Sequence, residues 1–168
     1  MLITDLEFIK CKTEEDQDEN WEFRSFLKRL DWSDKRLDGC VHEIARDVTD
    51  QIDCAACRNC CRVTQTELYE DEVARIARHL ELSVDEFRTR YIGQSDYGET
   101  VIKDTPCPFL NGNLCTIQEH RPKNCREYPY LDKKDFRHRS IAFVENAADC
   151  PIVFNTLKIL KKELRRRW

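Results

Sequence analysis

Cys54-Ala55-Ala56-Cys57-Arg58-Asn59-Cys60-Cys61 places four thiols in eight positions, and the reading of this C-x2-C-x2-C-C run decides how the rest of the chain is organised. Four more cysteines follow singly in turn-like or proline-marked settings: Thr105-Pro106-Cys107-Pro108, Gly112-Asn113-Leu114-Cys115, Arg121-Pro122-Lys123-Asn124-Cys125 and Asp149-Cys150-Pro151. Eight candidate ligands suffice for two four-coordinate sites. Adjacent cysteines are hard to aim at one ion, because successive side chains diverge by about 100° on a helix and point to opposite faces of a strand. Cys60 and Cys61 therefore suggest two neighbouring sites, or one ligand beside one structural thiol.

A structural zinc ribbon needs a second C-x2-C pair, whereas seven, nine and twenty-four residues separate the downstream cysteines. A C-x2-C-x2-C triplet with a remote cysteine followed by proline is closer to ferredoxin-type ligation, and Cys150-Pro151 offers that partner. Spacing thus favours an iron–sulfur cluster, with a zinc or iron ion as the alternative and redox-active thiols behind both. Four thiolates around such a centre leave a negative charge that burial makes costly. Arg58, Arg62, Arg121 and Arg126 lie within four residues of a candidate ligand and could compensate it.

Around this run the chain of 168 residues reads as a small, mainly helical α+β domain with a short β-hairpin, organised around a cysteine-ligated metal centre. Trp21, Phe23, Phe26, Leu27 and Leu30 form one helical stripe. Leu37, Val41, Ile44, Val48 and Ile52 form another, capped by Asp31 or Ser33. Cys40 on that second face reads as a buried thiol and Cys11 as a free one. Thr66 is expected to cap a helix bearing Tyr69, Val73, Ile76, Ala77 and Leu80, and Ser83 with Glu86 makes a capping box before Phe87 and Tyr91. Glu99–Lys103 and Ser140–Val144 are strand candidates, and Asn111-Gly112 is a tight-turn signal between Pro108–Leu110 and Leu114–Ile117. Pro122 opens a short helix that Pro129 ends, and Pro151 opens a final helix with Val153, Leu157, Leu160 and Leu164 on one face. The expected organisation is an acidic leader with a helical pair (1–50), a cysteine domain (51–152) and a basic amphipathic helix (153–168), all in one compact unit.

Residues 1–20 carry seven acids, whereas Lys158, Lys161, Lys162, Arg165, Arg166 and Arg167 crowd the other end. Charged runs on helices are ordinarily solvated, so the pattern points to a protein partner and argues against nucleic acid. No stretch approaches the roughly 20 apolar residues of a membrane span, and no basic, apolar leader opens the sequence. A cytoplasmic location is expected, where ten cysteines imply metal or redox chemistry rather than disulfides. Catalytic templates such as G-x-S-x-G, H-E-x-x-H or a Walker loop are absent from the sequence. His42 and His79 read as structural, and His120 and His138 have a slightly better case as ligands.

Taken together, Cys54-x2-Cys57-x2-Cys60-Cys61, Cys107-Pro-Phe-Leu, Leu114-Cys115-x-Ile and Arg121-Pro-x2-Cys125-Arg-x-Tyr128-Pro resemble the YkgJ-type cysteine-cluster family, in that order, over about residues 50–152. The resemblance implies a zinc- or iron-chelating domain with Cys54, Cys57, Cys60, Cys61, Cys107, Cys115 and Cys125 as ligands, and Cys150 matching the usual trailing cysteine. Arg58-Asn59 departs from the Gly-Lys often found there. Arg121 and Arg126 are the expected residues behind the ligands. The roles open to such a protein are electron transfer or a modification reaction, a structural zinc module that binds a partner, or metal handling and redox sensing.

Overall fold

The computed structural model describes all 168 residues. In chain order the helices are α1 (Leu6–Glu15), α2 (Gln17–Arg29), α3 (Asp34–Thr49), α4 (Cys54–Cys57), α5 (Asn59–Val63), α6 (Glu70–His79), α7 (Val84–Tyr91), α8 (Lys123–Glu127), α9 (Phe136–Glu145) and α10 (Pro151–Leu164). The strands are β1 (Ile92–Gln94), β2 (Thr100–Ile102), β3 (Leu110–Asn111) and β4 (Leu114–Cys115), which form two antiparallel pairs. The mainly helical α+β class is therefore the one observed. No helix is long and apolar enough to cross a membrane. The chain divides into two compact units, Met1–Asp53 with Pro129–Trp168, and Cys54–Tyr128.

In the first unit α1 and α3 start where a side chain can satisfy their open N–H groups. Asp5 accepts from the Phe8 amide at 2.9 Å to begin α1, and Ser33 accepts from Arg36 at 3.3 Å to begin α3. Pro151 occupies the first turn of α10, where a missing N–H costs nothing. The faces then bury Ile9, Phe23, Leu27, Leu37, Val41, Val48, Leu157, Leu160 and Leu164, each worth about 1.5–3 kcal/mol of apolar burial. Two polar ties close the unit. Arg137 donates to the carbonyls of Leu27, Leu30 and Trp32 at the end of α2, and Asp38 accepts from the Asp135 and Phe136 amides at 3.0 and 2.9 Å where α9 begins. Lys161 reaches Glu19 at 2.8 Å, so part of the charge asymmetry is neutralised inside this unit.

One expectation fails in this unit. Residues 140–144, expected as a strand, lie inside α9, because Phe136, Ser140, Phe143 and Val144 together make a buried helical face. The Phe136 and Phe143 rings meet edge to face at 4.8 Å, and such packing overrides the β preference of a short apolar run. The acidic leader is helical. It supplies α1 and the start of α2, with Ile9 and Asn20 buried.

The second unit is built on Leu68, Val73, Ile76, Ala77, Phe87, Ile102, Phe109 and Ile117, with Cys107 and Cys115 packed against this core. The β1–β2 pair runs in the register Ile92↔Ile102, and the segment at Thr66–Leu68 adds to its edge through Leu68 N to Thr100 O and Ile102 N to Thr66 O, both 2.9 Å. That pairing corrects the expected cap. Thr66 is committed to the sheet edge, so α6 begins only at Glu70, where the Glu72 carboxylate takes the Tyr69 amide at 3.0 Å. The Ser83–Glu86 capping box and the hairpin about Asn111-Gly112 are as expected, Gly112 supplying the left-handed turn at φ 61°.

Candidate metal centre

The thiols of the second unit come from three separated segments whose backbones are tied together. Between α4 and α5 the chain turns through Arg58 at φ 50°, a conformation rare for a residue with a side chain, and Arg58 is buried. Its guanidinium donates to the Asn113 carbonyl at 3.3 Å and to Gln118 Oε1 at 3.2 Å. Arg62 donates to the Cys57 carbonyl at 2.7 Å and to Asn113 Oδ1, while Asn113 Nδ2 donates to the Ala56 carbonyl at 3.0 Å. Two arginines and one asparagine thus clamp the cysteine run onto the β3–β4 turn.

Behind that clamp the Cys107 amide donates to the Cys61 carbonyl at 2.8 Å, the Leu110 amide donates to the Cys107 carbonyl at 3.0 Å, and Leu110 faces Cys115 across the hairpin. Cys125 lies on α8 with its sulfur 3.4 Å from the Thr66 hydroxyl. Helix α8 is tied by Glu72, a buried carboxylate that accepts from the Lys123 amide at 2.6 Å as well as from Tyr69, and by Asn124, whose Nδ2 donates to the Glu67 carbonyl at 3.2 Å. Neither Glu72 nor Asn113 was evident from the sequence as part of the site. The Tyr69-x-x-Glu72 spacing carried the signal, but tyrosine is not an ordinary cap.

The thiols differ in acidity for physical reasons. Cys61 is lowered to about 6, first by a hydrogen bond from the Cys60 side chain and, against the opposing effect of burial, by the charges of Arg58, Arg121 and Arg62. Burial pushes Cys107 up to about 11, and the charges of Cys125, Cys61 and Cys115 add to the rise. Burial likewise raises Cys125, opposed by the hydrogen bond from Thr66. A cation is what would allow several of these sulfurs to ionise together.

Cys54 is exposed and Cys57 half-buried on α4, and Cys60 adjoins Cys61 on α5. Cys150 is buried in the first unit, one residue before α10. Cys11 is exposed on α1, and Cys40 is half-buried on α3, its thiol raised by burial. His79 stacks on His120 with ring centres 4.0 Å apart, and His42 Nε2 lies 3.1 Å from the Lys133 carbonyl. As folded, no three Cys, His, Asp or Glu side chains of the second unit converge to direct metal-binding geometry.

One orphaned group bears on what this donor set fits. Arg121 Nε is buried without a hydrogen-bond partner, while the Arg121 charge lowers both Cys61 and Cys125. A buried donor left open, on a cation that acts on two thiols, suits an acceptor such as a thiolate or a bridging sulfide. Arg126 is arranged differently, since its guanidinium donates to the Arg121 carbonyl at 2.6 Å. Arg121→Gln is therefore expected to weaken metal retention by about 10- to 100-fold. Arg126→Gln should cost less, because it acts through a carbonyl. Chelator competition on both variants checks this, and wild-type retention in Arg121→Gln would remove that guanidinium from the site.

Residues 53–151 match the family model CxxCxxCC, described as "Putative zinc- or iron-chelating domain". No curated protein and no solved structure matches the chain.

Proposed function

Because the chain belongs to the CxxCxxCC family of zinc- or iron-chelating domains, we propose that its cysteines hold an iron–sulfur cluster or iron, used for electron transfer or a modification reaction. The observation that carries this reading is the unpartnered, buried Nε–H of Arg121, whose charge lowers both Cys61 and Cys125. Hydrogen bonds to cluster sulfurs are a principal means of setting an iron–sulfur potential, and a donor already held in place supplies one without reorganisation. The ferredoxin-like order of Cys54, Cys57 and Cys60 with a remote cysteine before proline, Cys150, supports the same reading. On it, the candidate ligands are Cys54, Cys57, Cys60, Cys61, Cys107, Cys115, Cys125 and Cys150, with Arg121 and Arg126 behind them.

The second reading is a zinc module without turnover, whose metal contributes folding energy while the helical surface meets a protein partner. It is favoured by the clamp of Arg58, Arg62 and Asn113 on the β3–β4 turn, which gives the second unit a rigid frame around its thiols. Ten cysteines in one short chain suit a cytoplasmic setting on either reading.

Metal analysis of anaerobically purified protein separates the two. Iron with acid-labile sulfide and absorption in the blue-violet region is the expected result. Colourless protein with stoichiometric zinc would overturn the iron reading in favour of the second, and protein that takes up neither metal would overturn both.

A further inference from the structure

We propose that the cavity lined by α1, the first turn of α2 and α10 is a binding site for a medium-chain carboxylate, an anionic head on a short apolar chain. The cavity lies wholly in the first unit and is independent of the thiols of the second.

Its volume is about 260 Å³. One wall is fixed by Asn155 on α10, a residue only 2% exposed, whose Oδ1 accepts from the Ile3 amide at 2.9 Å and whose Nδ2 donates to the Ile3 carbonyl at 2.7 Å. Ile3, Phe8, Phe154 and Leu157 give the cavity its apolar surface, and Phe8 is still 49% exposed. An apolar chain seated there would take that ring out of water.

Two polar groups of the lining are left open. Thr13 Oγ1 is buried without a hydrogen-bond partner, although a helical threonine can bond the carbonyl one turn back. Asn20 is 3% exposed, and its side-chain amide makes no hydrogen bond either. Such groups cost free energy until a partner reaches them. The charges say which partner. Lys12 is paired with Asp16 at 2.9 Å and Lys161 with Glu19 at 2.8 Å, whereas Lys158 in the same lining has no counter-charge. A carboxylate accepts from an ammonium, an amide N–H and a hydroxyl, which are the three donors available here.

The two ends of the cavity differ in kind. Ile3 meets Asn155 at one end and Glu19 meets Lys161 at the other, so the chain from residue 3 to residue 19 runs in the same direction as α10. Phe8 precedes Lys12 and Asp16 along one wall, and Phe154 and Leu157 precede Lys158 and Lys161 along the other. The apolar chain therefore lies towards Phe8 and Phe154 and the head towards Lys158. At 1.5 Å per residue, Phe154 to Lys161 spans about 10 Å. Because a cavity of about 150 Å³ accepts benzene, this one holds about ten non-hydrogen atoms, the size of octanoate.

The test titrates the full chain with octanoate, and with octanol as the same chain without the charge, by calorimetry and by amide-resolved NMR. Octanoate is expected to saturate one site with a Kd on the order of 0.1–1 mM, and octanol to bind at least about 5-fold more weakly. The largest amide shifts should fall at Ile3, Thr13 and Lys158. Lys158→Gln alters an exposed side chain and Thr13→Val keeps the side-chain shape, and each should weaken octanoate about 3- to 10-fold, the first leaving octanol unchanged. Octanol binding as tightly as octanoate, or wild-type octanoate affinity in either variant, would overturn the proposal. So would the lack of saturable octanoate binding, or amide shifts confined to residues outside the cavity, and those two measurements need no variant.

Discussion

Cys125→Ser is expected to lose bound metal and thermal stability together, whereas Cys11→Ser loses neither. Cys125 sits on a helix of only five residues, Lys123–Glu127, too short to persist on its own propensity. Metal at its sulfur would tie that helix to the strand edge at Thr66, so ligation free energy there is also folding free energy. A serine hydroxyl is close in shape and can still hydrogen-bond Thr66 but is a poor metal ligand, which largely separates ligation from packing. The loss of affinity should exceed the roughly 100-fold that marks the upper end for residues behind the ligands. Thermal unfolding with and without chelator, alongside metal content, gives the answer. A Cys125→Ser protein with full metal content and an unmoved midpoint would take Cys125 out of the ligand set.

The second large effect belongs to Glu72, which no catalytic or metal-binding pattern singles out. Its buried carboxylate accepts the Tyr69 amide at the start of α6 and the Lys123 amide at the start of α8, with Arg75 at 3.7 Å. Removing it leaves two helix N-termini without their acceptor and one arginine without its counter-charge. Glu72→Ala should therefore cost about 3–5 kcal/mol, the range for breaking a buried charged tie by deleting one partner. Glu72→Gln keeps an acceptor and should cost less. Because α8 carries Cys125, the alanine variant should also release metal faster than wild type. Denaturant unfolding of the two variants checks the size. A change within about 0.5 kcal/mol for Glu72→Ala, the usual range for surface substitutions, would show that α8 is held by other contacts.

Much of the local structure was legible in residues alone. Ser33, the Ser83–Glu86 box, Asn111-Gly112, Pro122 and Pro151 each act through chemistry confined to a few neighbouring residues, and each marks an element boundary where expected. The candidate thiols were legible for the same reason, since closely spaced cysteines have few other uses where thiols stay reduced. The misreadings at 140–144 and at Thr66 have the opposite origin. Ser140–Val144 is a short apolar run whose helical state depends on Phe136 packing against Phe143, and Thr66 joins a sheet edge thirty-four or more residues away in sequence.

The sequence by itself determined that this is a cysteine-cluster chain of mainly helical class, because spacing, caps and turn residues act locally and carry their meaning with them. Only the tertiary structure decided that Glu72 would hold the helix of Cys125, that Arg58 and Arg62 would clamp the run to a distant hairpin turn, and that Arg121 would leave a buried N–H open near Cys61. Those relations depend on long-range contacts whose partners are ordinary charged residues. Such residues are indistinguishable from solvated surface until burial removes the water that would otherwise satisfy them.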